Sequence, residues 1–324
     1  MKHRALALLA VSLVVFTACA SPGHADDAAA LRDELTTLPG VTFALIDYAK
    51  PVTLDSGKLQ ATVEVEPTAS TEQLVTVITT AYTAFDGPHN GEETDLDVRR
   101  DDDTIHLRGF QPDADVADVR RAAADAASVL TGAIARDAEI RAEINTQDVA
   151  KAPHVETRYR VDVPGGPPAI TAILARLQAA YAQIDHAAWT VQEGEGQGWA
   201  LGAEEHGFPT EAQHQLWTRL RAGTPKGTTV RVAGPYATMV LPPGTSPAVA
   251  ASVARRDVAL LGGTEHAGYE LQVGPASAVL LLSGECHFGD DEVARAVERA
   301  VAGGCSQVLH PGEQATEPAP GSDG

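Results

Sequence analysis

Residues 58 to 65 set the pattern. Leu59, Ala61, Val63 and Val65 are apolar, and Lys58, Gln60, Thr62 and Glu64 alternate with them. A period of two gives a strand with one dry face and one wet face. From Ser70 the period changes. Leu74, Val77, Ile78, Ala81, Tyr82 and Phe85 follow helical spacing, and Ser70 stands where an N-cap belongs. Asp86-Gly87-Pro88 stops that helix. Leu96 and Val98 then answer Ile105 and Leu107 across Asp101-Asp102-Asp103, which predicts a hairpin. A helix opening at Asp113 carries Val116, Val119, Ala123, Ala126 and Leu130. Ahead of these, Leu31, Leu35 and Leu38 share the face of a helix ended by Pro39-Gly40, and Thr42 to Tyr48 reads as a strand.

The same order recurs. Strands near Glu139–Asn145 and at Val155, Thr157, Tyr159, Val161, Val163 precede the turn Pro164-Gly165-Gly166-Pro167-Pro168 and a helix carrying Ile170, Ile173, Leu174, Leu177, Tyr181 and Ile184. Trp189 and Val191 face Trp199 and Leu201 in a hairpin, and a helix spans Thr210 to Arg221. In a third round, strands at Thr229–Val232 and Tyr236–Leu241 precede a helix capped by Ser246. A hairpin across Gly274-Pro275 and a helix opened by Asp290 follow. The reading is an α+β fold of three tandem strand-strand-helix-hairpin-helix units, 28–135, 136–224 and 225–310. Each lays helices on one face of a mostly antiparallel sheet. Alternating strands support the single covered face, because a sheet covered on both would show continuous apolar runs. Residues 311–324, rich in Pro, Gly, Glu and Ser, read as a disordered tail.

Charge narrows the partners. The 324 residues carry a formal −20, more once Lys2 and Arg4 are removed with a leader. That excludes a nucleic-acid surface, which needs a basic face, and general docking on anionic lipid. Arginine outnumbers lysine and alanine abounds, a composition that fits a GC-rich genome such as an actinobacterium's.

Lys2 and Arg4 precede the apolar run Ala5–Thr17 and then Ala18-Cys19. A basic start, a short apolar segment and small residues at the cut form an export signal, residues 1–18. The run is shorter than the ~20 residues of a membrane-spanning helix. Phe16-Thr17-Ala18-Cys19 resembles the lipobox of bacterial lipoproteins, with Phe16 in place of the usual Leu. The resemblance covers the leader alone. It implies that Cys19 becomes the acylated first residue of the mature chain, with residues 19–27 as its tether and the lipid bilayer as a partner.

Cys286 and Cys305 remain, and an even pair in an exported chain predicts a disulfide. A helix expected at 290–302 lies between them and separates its ends by ~18 Å, so the flanking residues must fold back along it. Glu285-Cys286-His287 makes a poor catalytic dyad, since neighbours in an extended chain point to opposite sides. Asp95, Asp97, Asp101, Asp102 and Asp103 lack the spacing and glycine of a calcium loop and read as a solvated hairpin. Gly194, Gly196 and Gly198 join two strands and open no helix, as a phosphate loop would. Lys226-Gly227-Thr228 is not in Walker order. Trp189 and Trp199 share the dry face with Val191 and Leu201, which favours core packing over sugar stacking. No HExxH or GxSxG motif is present.

The expectation is therefore a lipid-anchored extracytoplasmic protein at the cell membrane. It binds or scaffolds some envelope protein or ligand without catalysis, cofactor, metal or nucleic acid. Two other readings stand beside it. One is a carrier of lipid or glycolipid with an apolar pocket. The other is an envelope hydrolase whose site is assembled from distant residues.

Overall fold

The computed structural model describes residues 24–51, 56–110, 114–146, 155–194, 198–203, 205–262, 268–274, 276–281 and 284–312. Cys19 and the tail from 313 lie outside the described residues, as do Asp113 and Gly196. Helix α1 (Ala25–Thr37) leads into strands β1 (Val41–Ala49) and β2 (Lys58–Val65). Then come α2 (Thr71–Asp86), β3 (Glu93–Arg100), β4 (Asp103–Phe110) and α3 (Val116–Leu130). Strands β5 (Glu139–Asn145) and β6 (Glu156–Asp162), α4 (Gly166–Tyr181), β7 (Ala188–Gln192), β8 (Ala200–Gly202) and α5 (Glu211–Arg221) follow. Last are β9 (Thr229–Ala233), β10 (Tyr236–Leu241), α6 (Pro247–Leu261), β11 (Gly268–Val273), β12 (Ala276–Leu281), β13 (Glu285–Phe288), α7 (Glu292–Val301) and β14 (Gln307–Leu309).

Local chemistry sets the helix starts. Ser70 and Thr210 each accept from the backbone three residues on, and Gln73 and Gln213 return the bond to the cap, completing two capping boxes. Asp291 and Ser246 cap α7 and α6. Helix α3 is capped by Asp115, two residues beyond the expected Asp113, because the Asp115 carboxylate accepts from Ala117 N. Pro167 and Pro168, expected in a turn, occupy the first turn of α4, where proline's missing N–H costs nothing.

The fourteen strands form one sheet, ordered in space as in the chain. Each hairpin pairs antiparallel, and each helix from α2 onward returns the chain to begin a parallel neighbour. Seven strand pairs are antiparallel and six are parallel, so the sheet is mixed rather than mostly antiparallel. Register carries one dry face across it. Leu96 lies opposite Ala61 and Leu107, Ile144 opposite Leu107, Trp189 opposite Tyr159, and Val232 opposite Leu201 and Ala237. These residues join the helices' apolar stripes in a continuous core. Tyr159 stacks on Trp189 at 4.2 Å, and the Trp189 and Trp217 indoles donate to the Ile184 and Val230 carbonyls.

One topological consequence follows. Every crossover steps the same way across the sheet, but strand polarity reverses from one crossover to the next. With all helices on one face, the crossovers from β2–β3 to β10–β11 alternate in hand, and only every second one follows the right-handed preference.

At the far end, Cys286 and Cys305 are joined, with Cα atoms 5.8 Å apart. Helix α7 runs back along β13, and β14 starts beside β13 in parallel, Cys286 opposite Val308. That return resolves the length problem of a helix between the two cysteines. Strand β14 has too few residues to show a period, so the sequence pattern missed it.

A buried ion pair ties α5, α6 and β11 together. Asp257, fully buried, accepts from Arg256 on one oxygen and from the Tyr269 hydroxyl on the other. Arg256 also donates to the Leu220 and Ala222 carbonyls at the end of α5. Burial raises the Asp257 pKa, and Arg256 opposes that rise.

Three outcomes follow in equilibrium urea unfolding. Arg256→Met strands a buried carboxylate and lowers stability by about 3 kcal/mol at pH 7, less at acid pH where Asp257 is protonated. By comparison, Arg176→Ala breaks only the exposed pair with Asp137 and costs less than about 1 kcal/mol. Replacing both Cys286 and Cys305 by Ala removes about 3 kcal/mol. Hydrogen exchange then shows α7 and β14 opening before the rest.

Candidate functional site

Among the described residues the sheet's second face carries no helix and holds the polar positions of the alternating strands. Here register builds what chain order does not show. One row across the strands reads Glu64, Arg99, Thr104, Arg141, Arg160, Thr190, Gly202. The next reads Thr62, Asp97, His106, Glu143, Arg158, Ala188. Most of these residues, joined by Arg108, line a trough of about 770 Å³ that holds five arginines, Arg99, Arg108, Arg141, Arg158 and Arg160.

Most of these charges are paired along their own strand. Arg99 meets Asp97 at 3.5 Å, Arg141 meets Glu139 at 2.6 Å, and Arg158 meets Glu156 at 3.5 Å. In each case the acid stands two residues ahead, on the same face. Arg108 reaches Glu143 and Asp95. Asp97 also holds His106 Nδ1, while His106 Nε2 accepts from Arg108 Nε. An Asp–His pair is part of a hydrolase's equipment, but both ring nitrogens here are occupied, which leaves none to take a nucleophile's proton.

Beyond the arginines the floor drops to small residues, Ala188, Thr190, Gly202 and Ala203. A Cβ on Gly202 would lie 2.4 Å from Thr190 Oγ1, so glycine keeps this floor open. On the next row Gln192 Nε2 donates to Asp162, and Arg231 donates to Gln192 Oε1. Burial, then the nearby Arg160 cation, lowers the Arg231 pKa.

A second polar cluster sits at the β1 edge. Tyr48 Oη donates to Glu92 and accepts from His24 N, and Glu92 also meets Nδ1 of the fully buried His89. The His89 Nε2 has no hydrogen-bond partner. The cluster fastens the first turn of α1 to the end of β1. Beside it on the open face, Phe43 and Leu45 of β1 are exposed.

The residues singled out by sequence fall apart or fall into the core. Cys286 is buried in its disulfide, and exposed His287 points to the opposite face. Trp189 is fully buried, and Trp199 packs edge-on to Trp217 beneath the Arg221 guanidinium. Asp95 and Asp97 lie on the open face, while Asp101 and Asp102 lie in the exposed turn. Asp103 corrects the solvated-hairpin reading. It begins β4 on the dry face, is buried, and accepts from Ile140 N at 2.8 Å. Among the described residues no group of His, Cys, Asp and Glu is arranged to hold a metal ion. The arginines of the trough had a visible signal, cations at wet positions of predicted strands, but not the register that aligns them.

No protein-family model, curated protein or solved structure matches the chain.

Asp103 generates a pH prediction. Burial raises its pKa from 3.8 to about 6, against the Ile140 N–H and Arg100, which both lower it. The folded chain thus holds this proton more tightly than the unfolded chain. Its stabilisation is full below about pH 4 and is lost as pH rises through 6. Asp103→Asn keeps the acceptor for Ile140 and removes the titration. Between pH 4 and 7 the parent chain loses on the order of 2 kcal/mol relative to the variant, read by urea melts across that range.

Proposed function

We propose that the chain is a lipid-anchored, extracytoplasmic binding protein of a bacterial cell envelope. It acts through the open face of its sheet and without catalysis. Acylated Cys19 would be its attachment to the membrane. The leader supports the anchor, and the open face supports the binding role. That face is the observation that carries the reading. A sheet with all its helices on one side leaves a broad polar platform, with a trough of about 770 Å³ in it.

The units 28–135, 136–224 and 225–310 are proposed as tandem copies. In support, each contains a hairpin, a helix, a hairpin and a helix in that order, with α1 added ahead of the first unit's hairpin and β13 and β14 added in the third. One sheet running through all of them would make the copies a single platform.

The other two readings have less behind them. An acyl chain needs an apolar cavity, whereas this trough is lined by ionised groups, as is a second of about 820 Å³ at the β3–β4 turn. A hydrolase needs a free base beside a nucleophile, and His106 has both nitrogens engaged.

The anchor is tested by replacing Cys19 with Ala and fractionating the producing cells. The expected result is a shift from membrane to soluble fraction with loss of the acyl mass from the N-terminal peptide. A protein unacylated in both forms and equally membrane-bound would sink the proposal.

A further inference from the structure

We infer that the trough over β3 to β7 is a binding site for a ligand carrying several linked oxyanions, phosphate or carboxylate, laid across the strands along Arg99, Arg141 and Arg160. This rests on the open face being the binding surface, and it names the class of ligand that face takes.

The first ground is an imbalance in an acidic chain. The whole molecule is formally −20, yet five of its 24 basic residues line this one trough, against three carboxylates there, Asp97, Glu139 and Glu143. Those three are already engaged by Arg99, His106, Arg141 and Arg108, and at the rim Glu156 takes Arg158 and Asp95 takes Arg108, so the arginine left over is Arg160.

The second ground is Arg160. Its strand neighbour two residues ahead is Arg158, not the acid that precedes Arg99, Arg141 and Arg158. Directly opposite it across the antiparallel pair is Arg141. Like charges facing each other across strands are destabilising. Arg160 is exposed and makes no hydrogen bond or ion pair among the described residues. Arg141 has Glu139 as its counter-ion, whereas Arg160 has none, so an incoming oxyanion supplies the partner that Arg160 lacks.

The third ground is shape. Strands lie about 4.8 Å apart, so the row from Arg99 to Arg160 spans about 14 Å, enough for more than one anionic group. The Thr104 and Thr190 side chains sit between and beside the arginines, and the small floor at Ala188, Gly202 and Ala203 leaves room above them. The guanidinium fork matches phosphate and carboxylate oxygens two at a time, which specifies an oxyanion rather than a halide.

The experiment is calorimetric titration of the full chain in detergent at low salt with tripolyphosphate, citrate and orthophosphate. The expected result is saturable binding of tripolyphosphate or citrate, and whichever binds tighter identifies the oxyanion. Orthophosphate binds at least tenfold more weakly. Arg160→Ala weakens the tighter ligand about tenfold or more. Gly202→Val weakens it without a change of charge. Arg295→Ala, exposed on α7 behind the sheet, leaves it unchanged. Equal affinity of Arg160→Ala and the parent chain overturns the inference. So does orthophosphate binding as tightly as the linked anions, or no binding by any of the three. None of these outcomes bears on membrane attachment, which the Cys19→Ala fractionation reads separately.

Discussion

Among the described residues, fourteen strands share one sheet, and their apolar positions form one dry face. Hydrogen bonding between strands forces their dry sides to coincide, because a slip of one residue would turn a whole strand over. The helices then have only one place to bury their apolar stripes. The alternating hand of the crossovers shows how strong this constraint is. A right-handed preference of about 98% corresponds to roughly 2 kcal/mol per crossover. Helix α2 alone buries Leu74, Val77, Ile78, Tyr82 and Phe85. At about 1.5–3 kcal/mol for each large side chain, that burial outweighs the twist preference several times over. A helix on the charged face would forfeit it and desolvate arginines and carboxylates as well.

The same constraint makes the open face. Residues that cannot be buried accumulate there, and register sorts them into rows. Along a strand, side chains two apart share a face, so an acid two residues before an arginine can pair with it. Across strands the neighbour is fixed by topology instead. Arg141 and Arg160 meet only because β5 and β6 form a hairpin in this register. Pairing along the strand removes much of the charge but not at Arg160, and the trough keeps a local excess of cations inside an acidic molecule.

Element identity was legible in the sequence because it is written in short-range period and capping. Ser70, Thr210, Ser246 and the alternation from Leu59 to Val65 led to the right elements. Pairing was not legible, since a helix between two hairpins is compatible with either a parallel or an antiparallel return. The antiparallel part of the expectation therefore holds for the hairpins, while the helical crossovers make the sheet mixed. Asp103 was misread for a related reason. Three consecutive aspartates look like a solvated bend, but β4 begins at the third, and strand alternation turns it inward toward Ile140 N. The arginine row was invisible because its members, Arg99, Arg141 and Arg160, are far apart in the chain and meet only through register.

The acidity of the molecule bears on what the trough selects. At physiological ionic strength the Debye length is about 8 Å, so carboxylates on the helical side are largely screened from the open face. An approaching anion still meets a weak long-range repulsion, which grows with the anion's own charge. Selection therefore rests on close contact, where guanidinium groups on neighbouring strands act together. A single anion can satisfy one fork and leaves the rest of the row unpaired. A ligand with linked charges engages successive forks without a further loss of translational freedom. The narrow basic row thus favours multivalent anions through close contact, against the repulsion of the acidic surface around it.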